Sequence, residues 1–513
     1  MGTASIENKL LITWVSQVKS LERMQRDVTR ISPAVGSPCR PDWNLTPGRG
    51  AKSCGLVQIQ ITKMPGIVSR AIVGLTLALS STAAQPARYP VIPIEYTHLA
   101  NGLKVVLAPD STASLVMVGV YYAIGQRTEP VGREGFAHLF EHLMFEGSTH
   151  LPPGALIRLI ATNGGTFNGN TRFDFTDYFE IIPPAALELM LWAEADRMRG
   201  LVVDDSALGR QKAIVKSEIR LSYINRPDGG FPWLDVPQVA NRNWQNAHDF
   251  RGRPAEIDSA TLADARRFHA AYYVPNNAVL VVSGAFRVAE TRRWISEYFD
   301  GIPRGGVVHR PDVTEPPQTA ERRGVRIDSL ATSPVLAVAF HMPPRHTRAF
   351  FAMALIDQLV LQGDDSWLAD TLVRRGHLAD AVFGGANLQG NLFNYEGPML
   401  WTIAAQYRSA DQADAIAGAI QNVVARLRRR PLDATTLRVA RHKAHSAYYD
   451  MLDNLGGFGR LDLLASFALF DDDPVEINRV EASLDAVTPA DIQSAARDYL
   501  SPAQQTVYIR RPS

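Results

Sequence analysis

The stretch "GFAHLFEHLMFEG", residues 135 to 147, sets two histidines four positions apart, with a glutamate directly before the second. Residues i and i+4 share one face of an α-helix. His138 and His142 therefore present two imidazoles to one point, with Glu141 beside them. Zinc takes neutral imidazole nitrogen and carboxylate oxygen in a four-coordinate shell. A carboxylate next to such an ion can take a proton from water whose pKa the metal has lowered. The order H-x-x-E-H is the reverse of H-E-x-x-H and is the inverzincin pattern.

Two histidines leave the shell short of a ligand. The stretch "SALGRQKAIVKSEIRLSY", residues 206 to 223, has the apolar spacing of a helix and carries Glu218. On its own Glu218 reads as a solvated helix carboxylate. As a third ligand it would complete a His, His, Glu set.

The surrounding chain bounds the setting. Its 513 residues suit two to four domains, and 46% apolar with 20% charged side chains is the composition of a folded protein. Net charge is +1, so nothing draws the chain toward nucleic acid or an anionic surface. The basic run "RLRRR", 426 to 430, reads as a solvated helix face. Cys39 and Cys54 are the only cysteines, which excludes disulfides and thiolate ligands from the main body.

Residues 64 to 84 have the layout of a signal peptide: Met64, Arg70, a short apolar run and small residues. That run is too short to span a bilayer. The expectation is a periplasmic or secreted protein that starts translation at Met64, begins when mature near Gln85 and has no membrane span. Residues 1 to 63 are then a non-native or disordered extension.

Beyond residue 94 the pattern repeats. "THLANGLKVVLAPD" reads as a hairpin about Asn101 and Gly102, "SLVMVGVYYAI" as a strand, and residues 134 to 146 as a helix stopping at Gly147. "SPVLAVAFHM" answers "SLVMVGVYYA", and "ARDYLSPAQQTVYIRR" answers "HAAYYVPNNAVLVVSG". Two similar α+β halves are expected, 85–305 and 325–513, joined by a linker at 306–324. Each is a mostly antiparallel sheet with helices on one face, and together they form a clamshell.

The segments "GREGFAHLFEHLMFEGS", "GGTFNGNTRFDFTDYFEIIP", "EADRM" and "YYVPNNAVLVVSG", with "SEIR" placing Glu218 76 residues after His142, resemble the pitrilysin-type (M16) zinc metallopeptidases. The resemblance implies that His138, His142 and Glu218 bind Zn²⁺ and that Glu141 is the general base. Zinc is preferred over Mn²⁺ or Co²⁺ on ligand type and resemblance. "FNGNTRFDFTDYFEII" corresponds to the family's edge strand, which holds a peptide substrate by main-chain hydrogen bonds. Asn168 either matches a family asparagine near the scissile bond or makes a turn with Gly169.

Two departures stand out. Gln211 occupies a position where the family often carries a second glutamate behind the distal ligand. Full-length relatives also carry an Arg and a Tyr seven residues apart in the second half, and here those positions are Val373 and Asp380. The resemblance then implies the zinc-bearing subunit of a bacterial heterodimer whose related partner supplies the Arg/Tyr pair. The expected function is a zinc-dependent endopeptidase acting on peptides or unfolded segments. The alternative is a non-catalytic peptide-binding or scaffold member of the family.

Overall fold

A computed structural model describes residues 89–513, all within one unit of the chain. The expected signal peptide at 64–84 and the expected extension at 1–63 lie outside the described residues.

The first sheet holds six strands: β1 (Glu95–His98), β2 (Lys104–Pro109), β3 (Val116–Tyr122), β4 (Thr166–Thr171), β5 (Thr176–Ile182) and β6 (Ala278–Gly284). Their spatial order is β1-β2-β6-β3-β5-β4, so β4 is an edge. The helices of this half include α1 (Phe136–Leu143), α2 (Leu187–Arg199), α3 (Asp205–Ile219) and α4 (Leu262–Tyr272). β1 and β2 form the expected hairpin, with Glu95 opposite Leu107, and Gly102 supplies a left-handed φ of 90° in its loop.

The second sheet holds β7 (Arg322–Asp328), β8 (Val335–His341), β9 (Ala381–Ala386), β10 (Leu400–Gln406) and β11 (Thr506–Pro512), in the order β7-β11-β8-β10-β9. It repeats β2-β6-β3-β5-β4 strand for strand. Each sheet has one parallel pair, β2 with β6 and β7 with β11, and is otherwise antiparallel. The internal repeat read from the sequence is thus a repeat of topology. Helices α5 (Arg348–Val360), α6 (Ala434–Ser466) and α7 (Pro489–Tyr499) belong to the second half.

β3 explains why the two halves form one unit. All seven of its residues are buried, because both of its faces are covered. Val116, Val118, Val120 and Tyr122 pack with α1 and the other helices of the first half. Met117 and Tyr121 point the other way, into a core shared with the second half. Gly119 leaves room on that second face: a Cβ there would lie 2.8 Å from Leu461 Cδ2 of α6. The first half's own helices cover one face, as expected, and the second half covers the other. α6 is broken at Asn454–Gly457, where Leu455, Gly456 and Gly457 adopt left-handed conformations, and it resumes toward Leu461. This is the two-half α+β clamshell.

Three boundaries differ from the sequence reading. α1 ends at Leu143 rather than near Gly147, because after it the chain tightens into i→i−3 bonds, Phe145 N–H to the His142 carbonyl and Glu146 N–H to the Leu143 carbonyl. "FNGNTRFDFTDYFEII" is two strands, β4 and β5, and only β4 is the edge. The chain turns between Arg172 and Phe175, where the Arg172 N–H donates to the Phe175 carbonyl. Finally, α3 does not stay α-helical to Tyr223 but passes at Arg220 into a wider π turn, Arg220–Ile224.

Candidate metal centre

α1 sorts its side chains by periodicity. Phe136, Ala137, Leu139, Phe140 and Leu143 are buried, and His138, Glu141 and His142 lie half-buried on the opposite face. The helix begins at Gly135, which has φ 97° and no side chain to cap it. Glu129 takes that role. Its Oε2 accepts from Gly135 N at 2.9 Å and its Oε1 from Ala137 N at 2.6 Å. Burial pushes the Glu129 carboxyl up to about 8, against the pull of those two N–H groups and of His138.

α3 runs beside α1 and brings Glu218 to the histidines. His142 Nε2 lies 3.3 Å from His138 Nε2, and Glu218 Oε2 lies 3.3 Å from His142 Nε2 and 3.7 Å from His138 Nε2. A tetrahedral shell with bonds of about 2.0–2.1 Å has ligand-to-ligand edges of about 3.3 Å. Glu218 Oε2 is buried and has no hydrogen-bond partner. The spacing, the orphaned oxygen and the His, His, Glu donor set fit a zinc ion. Among the described residues this is the one cluster of three or more such groups gathered tightly enough to hold a metal.

Electrostatics tie the three together. Burial opposes charge on His138, but its ion-pair contact with Glu218 and the nearby carboxylates of Glu141 and Glu129 outweigh it and push the imidazole up to about 9. Burial raises Glu218, and its contacts with His138 and His142 outweigh that and hold it well below the ordinary carboxylate range.

Glu141 faces the edge strand. Its Oε2 accepts the hydroxyl of Thr171, at the end of β4. Gly169 lies on the same face of β4, and a Cβ there would stand 3.1 Å from Glu141 Cγ and 3.2 Å from Phe145 Cε2. Asn168 alternates to the other face and is exposed, opposite Phe179 in the ladder. Gln211 does not reach the histidines: its Nε2 donates to Glu146 Oε1 at 2.6 Å, and Arg210 donates to Glu146 Oε2 at 2.7 Å.

In the second half Val373 packs against the apolar core. Asp380 is exposed and accepts from Arg408 Nε at 2.9 Å. Two residues beside the site escape sequence reasoning: Glu129 and Thr171 give no local signal.

Comparison with known proteins identifies the family and the fold. Residues 104–223 match the family model described as insulinase (peptidase family M16), and residues 259–444 match the peptidase M16 inactive domain. Together they span more than half of the chain. The zinc protease PqqE of Helicobacter pylori is 28% identical over 56% of this chain and 66% of its own length. The beta subunit of the mitochondrial-processing peptidase of Blastocladiella emersonii is 24% identical over 83% of this chain and 90% of its own. The chain spans about a fifth of the human nardilysin that it also matches, at 27% identity. Among solved structures, a protease from Helicobacter pylori superposes with TM-score 0.75 at 24% identity, covering 82% of this chain and all of that one. The first half of the periplasmic protease PqqL from Escherichia coli superposes with TM-score 0.66 at 16% identity, over 82% of this chain and 92% of that one.

Proposed function

The chain belongs to the M16 peptidase family, and from that premise we propose that it is a zinc-dependent endopeptidase acting on peptides or unfolded segments. The observation that carries this is the convergence of His138, His142 and Glu218 within 4.8 Å, with Glu141 on the same helix face. Those three residues would hold Zn²⁺, which supplies Lewis acidity, lowering the pKa of a water and polarising a carbonyl. Glu141 takes a proton from that water as its oxygen adds to the scissile carbonyl. It then passes the proton to the leaving nitrogen as the C–N bond breaks. Thr171 holds one oxygen of Glu141, which aims the other. The free edge of β4 pairs with an extended substrate through main-chain hydrogen bonds, a mode tolerant of sequence. Gly169 keeps that strand close to Glu141, and Asn168 stands on the exposed face of the same edge.

The absence of an Arg/Tyr pair at Val373 and Asp380 favours a second chain that contributes to the site, making this the zinc-bearing subunit of a heterodimer. A periplasmic or secreted location is part of the reading. It rests on the layout of residues 64 to 84 and on the likeness to a periplasmic protease. Among the described residues no helix is long and apolar enough to cross a membrane.

The test is zinc content and peptidase activity of the purified chain, alone and mixed with the related chain encoded beside it. Glu141→Gln is the control. One zinc per chain, with hydrolysis that Glu141→Gln abolishes, supports the reading. Zinc bound with no hydrolysis in either preparation favours the peptide-binding alternative.

A further inference from the structure

Glu218 sits in the last turn of α3, one residue before the helix ends at Ile219 and passes into the π turn Arg220–Ile224. Whatever fixes that turn also fixes the third member of the His, His, Glu set. Asn225 N–H closes the turn by bonding to the Arg220 carbonyl at 2.7 Å. The chain then reads "NRPDGGF", residues 225 to 231, a cluster of turn formers. It folds back on the π turn. Gly229 packs directly on Tyr223, where a Cβ would overlap the Tyr223 carbonyl oxygen. Gly229 N–H bonds to the Arg226 carbonyl at 3.1 Å, and Phe231 N–H to the Asp228 carbonyl at 2.9 Å, so the loop is a compact knot against the end of α3.

That knot is riveted to the second half. Arg510 of β11 is 1% exposed, and its Nη2 pairs with Asp228 Oδ1. Asp228 N–H donates to Asp328 Oδ2, the last residue of β7, at 3.3 Å. Phe231 stacks on Tyr508 of β11, with ring centroids 5.7 Å apart. Asp228 holds a left-handed φ of 63°, which a residue with a side chain keeps only where its surroundings enforce it. The demand comes from the strand. The next carboxylate to Arg510 is Asp328, whose Oδ2 lies 4.0 Å from Nη1. A guanidinium taken out of water without a close partner is costly, so Arg510 favours the arrangement that keeps Asp228 seated on β11. The side chain of Asp228 is 49% exposed and could be solvated without it.

We propose that Arg510 is a positioning residue for Glu218, acting through Asp228 and the packing of Gly229 on the π turn. The second half supplies none of the three metal-binding side chains, yet its last strand sets where the third of them stands. The assignment deepens the zinc reading of the site and rests on it.

The experiment uses the full chain and compares wild type with Arg510→Met, which keeps length and burial, and Arg510→Lys, which keeps the charge. Arg460→Met is the control, because Arg460 also joins the halves but does so at Asp110, just past β2. Zinc affinity is read by competition with a chromophoric chelator. The absorption spectrum of the Co²⁺-loaded chain reads the ligand geometry, which a loss of global stability alone would not change. Removing the support behind a metal ligand weakens metal binding about 10- to 100-fold, and at this remove Arg510→Met should lose about tenfold, with an altered Co²⁺ spectrum, while Arg510→Lys stays within about threefold of wild type. Arg460→Met should match wild type in both. Wild-type affinity and spectrum in Arg510→Met overturn the proposal, and so does an equal loss in Arg460→Met, which would make the effect one of docking the halves in general. If Arg510→Met does not fold, Asp228→Asn decides by the same two readings: a loss of about tenfold supports the assignment, and none overturns it. Failure of the zinc reading looks different: the wild type itself then binds no zinc, and this assignment falls with it.

Discussion

Thr171 donates its hydroxyl to Glu141 Oε2 at 2.7 Å, joining the last residue of the edge strand to the acid of the H-x-x-E-H helix. The strand that would hold a substrate is thereby in register with the group that would take a proton from water. Thr171→Val keeps the shape and removes the donor. A hydrogen bond to a charged group contributes about 1.5–3 kcal/mol, so kcat/KM should fall about 10- to 150-fold. Zinc content should not change. Steady-state kinetics with a metal assay on the same preparation checks both, and unaltered kcat/KM would remove Thr171 from the site.

Gly169 is the second point of contact between strand and helix. A methyl there would press on Glu141 Cγ at 3.1 Å and on Phe145 Cε2 at 3.2 Å, with backbone behind it in Asp177 O at 3.4 Å. The neighbours must shift by a few tenths of an ångström, and any shift of Glu141 displaces the group held by Thr171. Gly169→Ala is expected to keep the fold, at a cost of about 1–3 kcal/mol, and to lower kcat more than it raises KM. Urea unfolding and kinetics together separate the two effects.

Legibility in the sequence tracks the reach of each signal. The face shared by His138, Glu141 and His142 is a matter of four residues, and helical period alone gives it. The two-half repeat is legible because β3 and β8 are near-continuous apolar runs, each closed by a matching helix, turn and strand. Glu218 needs a resemblance, since nothing local says that α3 lies against α1. The β4–β5 hairpin reads as one strand because no glycine or proline marks the turn at Arg172 to Phe175. Glu129 is invisible for another reason. A carboxylate that caps a helix six residues ahead, across a loop, has no period at all.

Glu129 gives a prediction about preorganisation. With 1% of its surface exposed, it is the acceptor for two N–H groups at the start of α1. Glu129→Ala leaves both buried without a partner, at about 1–3 kcal/mol for each such group. Glu129→Gln keeps one acceptor oxygen and should lose roughly half as much. Because the cap fixes the turn that carries His138, Glu129→Ala should also weaken zinc binding. Urea midpoints with and without zinc check this, and a loss of stability that leaves zinc affinity untouched would limit Glu129 to the fold.

The junction of the halves should be sensitive to acid. Asp110, one residue past β2, accepts from Thr112 Oγ1 at 2.6 Å and from Thr112 N at 2.9 Å, and Arg460 Nη1 of α6 reaches its Oδ2 at 2.7 Å. The Thr112 bonds first and Arg460 next lower its carboxyl from 3.8 to about 2. A carboxyl depressed in the folded state contributes stability that is complete above its unfolded value and disappears as pH falls through its folded value. The window is therefore from just above pH 4 down to about 2, and the sign is loss on acidification. Both side chains are partly exposed, so the contribution is screened by salt and modest. Asp110→Asn should be less stable than wild type at pH 6 and approach it near pH 2. Urea midpoints across that range read the convergence, and two curves that stay parallel would mean that the Arg460 contact adds nothing to holding the second half on β3.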